Sequence, residues 1–372
     1  MKISVLFILL KCFTLNCSSQ QYVISATITG FPDSTKFFLK DLDTDTDIDS
    51  AAITHNSFRM KGSLGSSPQS LWLCTTYNNN FYYTTLLIGN DSISVKGDIK
   101  DFPFDLAVTG SQIQDDLNIL NALTRDGYKK RNQLVAEFFS LKGDSANIQG
   151  KAIWDTIRIL DSTTQFLTKG FIHDHLNTYP ALQYMYFLRN VYGRDALRTL
   201  YAALAAPMQE SQFGLRIANY LKVGDPVKKG DPMEDFAAFD KEGRVHRPSE
   251  YKGKYILLDF STTYCGPCME SVIDMKKLSA AYSDKLAIVS LSGDGGKKTW
   301  LTGIDRDRPS WLSLWDGKGI YSETMIKYGV SGFPTFCLID PQGRILSLWT
   351  GYGKNDDGTG SLEEAVTKTI GK

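Results

Sequence analysis

At 372 residues the chain is too long for one ordinary domain, and two or three are expected. Its apolar share of 42% and charged share of 22% are those of a soluble globular protein. The 41 acidic and 41 basic side chains cancel, which argues against nucleic acid and against a strongly charged substrate.

Met1-Lys2 precede the apolar run Ile3 to Leu10. Lys11 interrupts it, and Cys12 to Leu15 resume it before Asn16-Cys17-Ser18-Ser19-Gln20. The pattern predicts an export signal over residues 1–19, too short to span a bilayer comfortably. Its end admits two readings. Cleavage before Cys17 would leave that cysteine as the lipid anchor of a bacterial lipoprotein, although Asn16 is larger than the residue usual at that place. Cleavage after Ser19 would release a soluble protein. Export to the bacterial cell envelope implies an oxidising compartment. Beyond the signal only Cys74, Cys265, Cys268 and Cys337 remain, too few for a disulfide scaffold.

Residues 21–110 alternate apolar and polar side chains between turn residues. Strands are expected at Tyr22 to Ile28, Lys36 to Leu39, Phe58 to Lys61, Leu71 to Thr75, Tyr82 to Ile88 and Ser92 to Gly97. Short strands with regular turns predict a β-sandwich or open barrel. Asp41 to Asp49 carries alternating acids and reads as a solvated loop. Its spacing lacks the glycine and terminal glutamate of a calcium loop.

From 112 to 222 the period becomes helical. Leu117, Leu120 and Leu123 begin it, and Leu134, Phe138, Ile153, Trp154, Ile157, Leu160, Tyr184, Met185, Leu188, Leu197 and Leu204 continue it. His173-Asp174-His175 places its histidines on different helix faces and reads as an exposed polar turn rather than a metal site. Val223-Gly224-Asp225-Pro226 through Gly230-Asp231-Pro232 is rich in breakers and reads as a hinge.

The last domain, 224–372, follows an α/β order. Tyr255 to Phe260 is an apolar strand, and Cys265 to about Ala281 a helix with Val272, Met275 and Leu278 on its buried side. Leu286 to Leu291 is a second strand, Trp300 to Ile304 a short helix, and Glu323 to Tyr328 another that ends at Gly329. Asp340-Pro341-Gln342-Gly343 makes a turn between hairpin strands. Leu362 to Ile370 closes with a helix.

The chemistry centres on Cys265-Gly266-Pro267-Cys268. Two thiols three positions apart, the first at a helix N-terminus, suit disulfide exchange. Backbone N–H groups and the positive helix end favour the thiolate of Cys265. Cys268, one turn further, can attack a mixed disulfide formed there. A merely structural disulfide would close too small a loop to contribute much stability. Zinc would need two more soft ligands, and Cys337 and His246 form no second paired motif.

These residues resemble the thioredoxin superfamily, in its exported TlpA/ResA-like branch, over about 224–372. The resemblance rests on the hydrophobic strand before Cys265, on Asp259 six residues upstream, on Tyr328-Gly329-Val330-Ser331-Gly332-Phe333-Pro334-Thr335, and on Gly253-Lys254. The stretch from about 293 to 321 looks like the branch's central insertion. Residues 21–110 resemble a β-rich domain of unassigned function that often precedes such modules, through Gly30-Phe31-Pro32-Asp33, Asp49-Ser50-Ala51 and Phe58-Arg59-Met60-Lys61-Gly62. The expected fold class is therefore an α/β thioredoxin-like C-terminal domain, an N-terminal all-β domain and a helical middle segment.

The resemblance implies that Cys265 attacks and Cys268 resolves. Asp259 is either a proton acceptor for Cys268 or a carboxylate merely satisfied by hydrogen bonds. Pro334 is expected to be cis and to face the thiols. Phe333 would offer main-chain hydrogen bonds to an extended client chain, with Tyr264, Gly266, Pro267 and Thr335 around it. Cys337 reads as a buried small hydrophobe. Ile273 stands where the family has a kinking proline, Tyr264 where tryptophan is frequent, and Ser261 at another common aromatic position. The missing proline should leave the helix straighter.

The expected function is a thiol:disulfide oxidoreductase acting as a reductant, with Gly266-Pro267 implying a reducing poise. Its cofactor is its own dithiol, with no metal. Its partners are disulfide-bearing envelope proteins and a membrane thiol donor of electrons. Two alternatives stand beside it. A thiol peroxidase would need a proline upstream of its cysteine, which is missing before Cys265. The other is a binding or assembly protein with incidental thiols.

Overall fold

The computed structural model describes residues 21–141, 145–352 and 362–371. The export signal and the lipidation reading at Cys17 lie outside the described residues.

Strands come first: β1 (Tyr22–Thr29), β2 (Lys36–Asp41), β3 (Thr46–Ala52), β4 (Ser57–Gly62), β5 (Gln69–Tyr77), β6 (Asn80–Ile88), β7 (Ser92–Asp98) and β8 (Ala107–Thr109). They form two four-stranded sheets, ordered β4-β1-β7-β8 and β3-β2-β5-β6. Period-two alternation turns Ile24, Ala26 and Ile28 of one sheet and Phe37, Leu39, Leu71 and Leu73 of the other into a single core. Phe31 fills its end, with Phe37, Tyr77, Tyr82 and Phe102 all edge-on to it. Asn78 and Asn79 both adopt positive φ in the two-residue β5–β6 loop, whose twist matches that of the flanking strands.

The segment read as a solvated acidic loop takes in the end of β2 at Asp41 and the first half of β3, Thr46 to Asp49, which pairs antiparallel with β2. Only a short stretch around Asp43 and Asp45 is loop, and it is not free. Asp43 accepts from Arg216 and from Gln212, the latter at 3.2 Å. Asp45 accepts from Thr299.

Helices follow: α1 (Gln112–Ser140), α2 (Ser145–Asp174), α3 (Tyr179–Phe187), α4 (Arg189–Tyr192), α5 (Arg194–Ala202), α6 (Ala206–Gln209) and α7 (Gln212–Val223). Leu120, Phe171, Leu182, Met185, Leu197, Phe213 and Ile217 make their core, and Ile326 from the last domain belongs to the same cluster. His173 bonds Asp174, and the His175 ring stacks on Phe171.

The last unit contains β9 (Ala238–Phe239), β10 (Val245–His246), β11 (Tyr255–Ser261), α8 (Gly266–Ala281), β12 (Leu286–Ser292), α9 (Lys297–Asp307), β13 (Leu312–Trp315), α10 (Glu323–Lys327), β14 (Thr335–Ile339), β15 (Ile345–Thr350) and α11 (Leu362–Ile370). Its seven-stranded sheet runs β10-β9-β13-β12-β11-β14-β15. The β11–β12 and β12–β13 pairs are parallel, and β11–β14 is antiparallel. Alternation on β11 sends Leu257 toward α8 and α11, and Ile256, Leu258 and Phe260 to the opposite face with Met325 and Tyr328. This is a thioredoxin-like α/β domain.

The breaker-rich stretch before it is no free hinge. Val227 N–H donates to Lys327 O, Gly230 N–H to Ile345 O and Ile345 N–H to Asp231 O. These bonds sew the connection along the domain it enters.

Candidate active site

β11 ends at Ser261, and the chain turns through Thr262, Thr263 and Tyr264 into α8. Cys265 is the N-cap, with extended φ and ψ, and its Sγ accepts from Cys268 N–H at 3.3 Å. A capping sulfur that takes up an orphan helix N–H sits where negative charge is stabilised. Pro267 falls in the first turn, where its missing N–H costs nothing. Cys265 and Cys268 are joined by a disulfide, with Cα atoms 5.2 Å apart. Cys268 is 4% exposed, whereas its neighbour Tyr264 is 73% exposed. Cys265 is half-buried, and Gly266 and Pro267 are exposed.

The Phe333–Pro334 bond is cis. Thr335 pairs with Phe260, so this bond lies beside the end of β11 from which the Cys265 turn leaves. Phe333 and Thr262 both adjoin Gly293. The loop is held from behind by Gly351 N–H donating to Pro334 O at 2.8 Å and by Thr335 Oγ1 donating to Gly332 O at 2.8 Å.

Asp259 is 2% exposed. Its Oδ2 accepts from Ser290 Oγ at 2.7 Å and from Ser261 Oγ at 3.1 Å. Its Oδ1 is buried without a partner. Burial pushes this carboxyl up to about 6 and Asp307 adds to the rise, while the two serine hydroxyls pull it down. Asp259 and Cys268 line one cavity of about 60 Å³ between β11, α8, β12 and α9, with Ser290, Trp311 and Arg306 among its other walls. That volume exceeds what a single water needs.

Three further residues fix the turn that carries Cys265, all of them through Thr263. The Asp294 carboxylate accepts from Thr263 N–H at 3.1 Å and from Thr263 Oγ1 at 2.7 Å. Arg306 donates to Thr263 O at 2.6 Å. Gly303 of α9 lies so close that a Cβ there would stand 2.6 Å from Thr263 Oγ1. Sequence reasoning missed all three, and also missed Ser290 and Trp311. One signal was available: Ser290 interrupts the otherwise apolar run Leu286 to Leu291 and Ser292 follows it, where a buried hydroxyl requires a partner.

The acidic loop reaches the same neighbourhood from the N-terminal domain. A Cβ on Gly295 would fall 1.8 Å from Asp43 O, so only glycine admits the contact. The Arg216 guanidinium, paired with Asp43, also lies 3.6 Å from the Tyr321 ring centroid.

Two thiols stand apart from the pair. Cys337 is wholly buried in β14, and burial pushes it up to about 12. Cys74 is buried in β5 and pushed up to about 11, again chiefly by burial.

Comparison with known proteins matches residues 253–345 to a thioredoxin-like family model. Residues 22–117 match a domain of unknown function, DUF4369. The thioredoxin-like protein YneN of Bacillus subtilis is 30% identical over 135 residues, which is 36% of this chain and 77% of that protein. The thiol-disulfide oxidoreductase ResA of Geobacillus thermodenitrificans is 29% identical over 141 residues, 38% of this chain and 79% of its own length. Among solved structures, the thioredoxin domain of a Bacteroides vulgatus thiol-disulfide oxidoreductase is 26% identical, with a TM-score of 0.35, covering 39% of this chain and 99% of that one. A thiol-disulfide oxidoreductase from Bacteroides fragilis is 29% identical, with a TM-score of 0.31, covering 32% and 89%.

Proposed function

The chain belongs to the thioredoxin-like family, and from this we propose that it is a thiol:disulfide oxidoreductase of the bacterial cell envelope that reduces protein disulfides through Cys265 and Cys268. The observation that carries the proposal is the half-buried Cys265 sulfur at the N-cap of α8, bonded to a buried Cys268. In the reduced protein the Cys265 thiolate attacks one sulfur of a client disulfide, and the other client sulfur leaves with the electron pair. The cis Phe333–Pro334 segment lines the client chain along the end of β11, with Tyr264, Gly266, Pro267 and Thr335 around it. Cys268 then passes its proton to Asp259 and attacks Cys265 Sγ. The client leaves as two thiolates that take protons from the solvent, and the protein is left as the disulfide.

An envelope location is supported by the apolar run behind Lys2. In that compartment the oxidised pair needs a membrane thiol donor to return it to the dithiol. The clients are disulfide-bearing envelope proteins, and the dithiol is the only cofactor the cycle requires. Cys17 serves as a lipid anchor if cleavage falls before it.

The test is insulin-disulfide reduction by the full chain. Cys265→Ser should abolish it, and undiminished activity in that variant would refute the proposal. Cys268→Ser should hold its client as a mixed disulfide at Cys265. Peroxide consumption without any disulfide client would favour the peroxidase reading.

A further inference from the structure

We infer that Ser290 and Trp311 are positioning residues that turn the Asp259 carboxylate so that it takes the Cys268 proton on Oδ1, an inference that rests on the exchange chemistry proposed above. The argument is one of proton inventory. An indole N–H can only donate, and a serine hydroxyl carries one proton. Trp311 Nε1 donates to Ser290 Oγ at 2.8 Å. The hydroxyl proton of Ser290 is thereby directed at Asp259 Oδ2, 2.7 Å away. Ser261 Oγ donates to the same oxygen at 3.1 Å. A proton arriving on Oδ2 would meet two donors. Oδ1 has no partner, and it alone is left for the cavity that Asp259 shares with Cys268.

The surrounding charges do not offer another acceptor. Asp294 is filled by Thr263 and by Ser292 Oγ at 2.7 Å. Both oxygens of Asp307 accept from Arg306, which also donates to the Thr263 carbonyl. β14 presents Phe336 opposite Asp259, an uncharged neighbour. In the resolving step the Cys268 S–H bond breaks and the proton moves to Oδ1. The new thiolate bonds to Cys265 Sγ, and the Cys265–client bond breaks with its electron pair on the client sulfur. Two cysteines are oxidised to a disulfide as the client disulfide is reduced to two thiolates, which take protons from the solvent, to which Asp259 later releases its own.

The experiment uses the full chain reduced with dithiothreitol. The protonated-carboxyl infrared band of Asp259, assigned by its loss in Asp259→Asn, is titrated against pH. Insulin reduction is followed over the same range. Ser290→Ala should raise the Asp259 midpoint by about one pH unit, because a donor to the ionised form is lost. The rate at pH 6 should fall about fivefold, with the plateau above pH 8 unchanged. Ser290→Thr should restore both. Trp311→Phe should shift the midpoint the same way by less, and it carries the test if Ser290→Ala does not fold. In an Asp259→Asn background, Ser290→Ala should leave the pH profile where it was. An unmoved midpoint, or a loss of rate equal at every pH, overturns the positioning role. If the wild-type chain reduces no disulfide, the functional proposal fails, while the infrared titration still decides whether Ser290 and Trp311 set the carboxyl.

Discussion

Replacing Asp259 with asparagine should stabilise the protein, and the gain should depend on pH. Burial raises this carboxyl from 3.8 to about 6. A raised acid favours the folded state only while it is protonated. Below pH 3.8 both states hold the proton and the group is neutral in the balance. Between 3.8 and 6 the unfolded chain releases it first, so stability falls as pH rises. Above 6 the penalty is complete, at about 3 kcal/mol. At pH 4.5 the same linkage gives about 1 kcal/mol. Asparagine keeps an oxygen for the Ser261 and Ser290 hydroxyls and carries no charge. Asp259→Asn should therefore gain about 2 kcal/mol more at pH 7.5 than at pH 4.5, a Tm difference of several degrees for a domain of this size. Urea unfolding of the disulfide form, with Cys265 and Cys268 still joined, measures it at each pH. An equal gain at both pH values, or a loss at pH 7.5, would refute the desolvation argument.

Three further substitutions probe the surroundings. Gly303→Ala adds a methyl group against Thr263, whose hydroxyl is already fixed by Asp294 and Thr299 O. It should cost about 1–3 kcal/mol in thermal unfolding despite alanine's better helix propensity, and it should slow insulin reduction. Asp43→Ala leaves the largely buried Arg216 side chain without its carboxylate, a loss of about 1–3 kcal/mol, seen as faster limited proteolysis around residues 293–296. Cys337→Ala should leave insulin reduction within about twofold of the parent and lower stability by about 1 kcal/mol, since its thiol is packed core.

The Cys265–Cys268 pair and the strand and helix that carry it were legible because their signals are local. An apolar strand, Cys-Gly-Pro-Cys and Gly-Phe-Pro-Thr each declare themselves within a dozen residues. What escaped was set by distant partners. Asp41 to Asp49 reads as solvated loop because its acids outnumber Leu42 and Ile48, yet Thr46 to Asp49 begin β3, whose pairing β2 supplies. Val223 to Pro232 reads as a hinge because its breakers are local, whereas Lys327 and Ile345, which bind its N–H groups, lie about a hundred residues on. Asp259 could be singled out from its spacing to Cys265. Its free oxygen depends on Ser290 and Trp311, which the β11–β12 and β12–β13 pairings together bring beside it.

Ile326 sits in α10 of the catalytic unit yet is sealed among Leu182, Met185 and Ile217 of the helices before it. Whoever excises the catalytic module by cutting near residue 224 also shears this shared oil drop and leaves an uncovered greasy scar beside Tyr321. The severed fragment should clump at concentrations the whole chain tolerates, and a clean excision requires Ile326 to be repainted with a polar side chain.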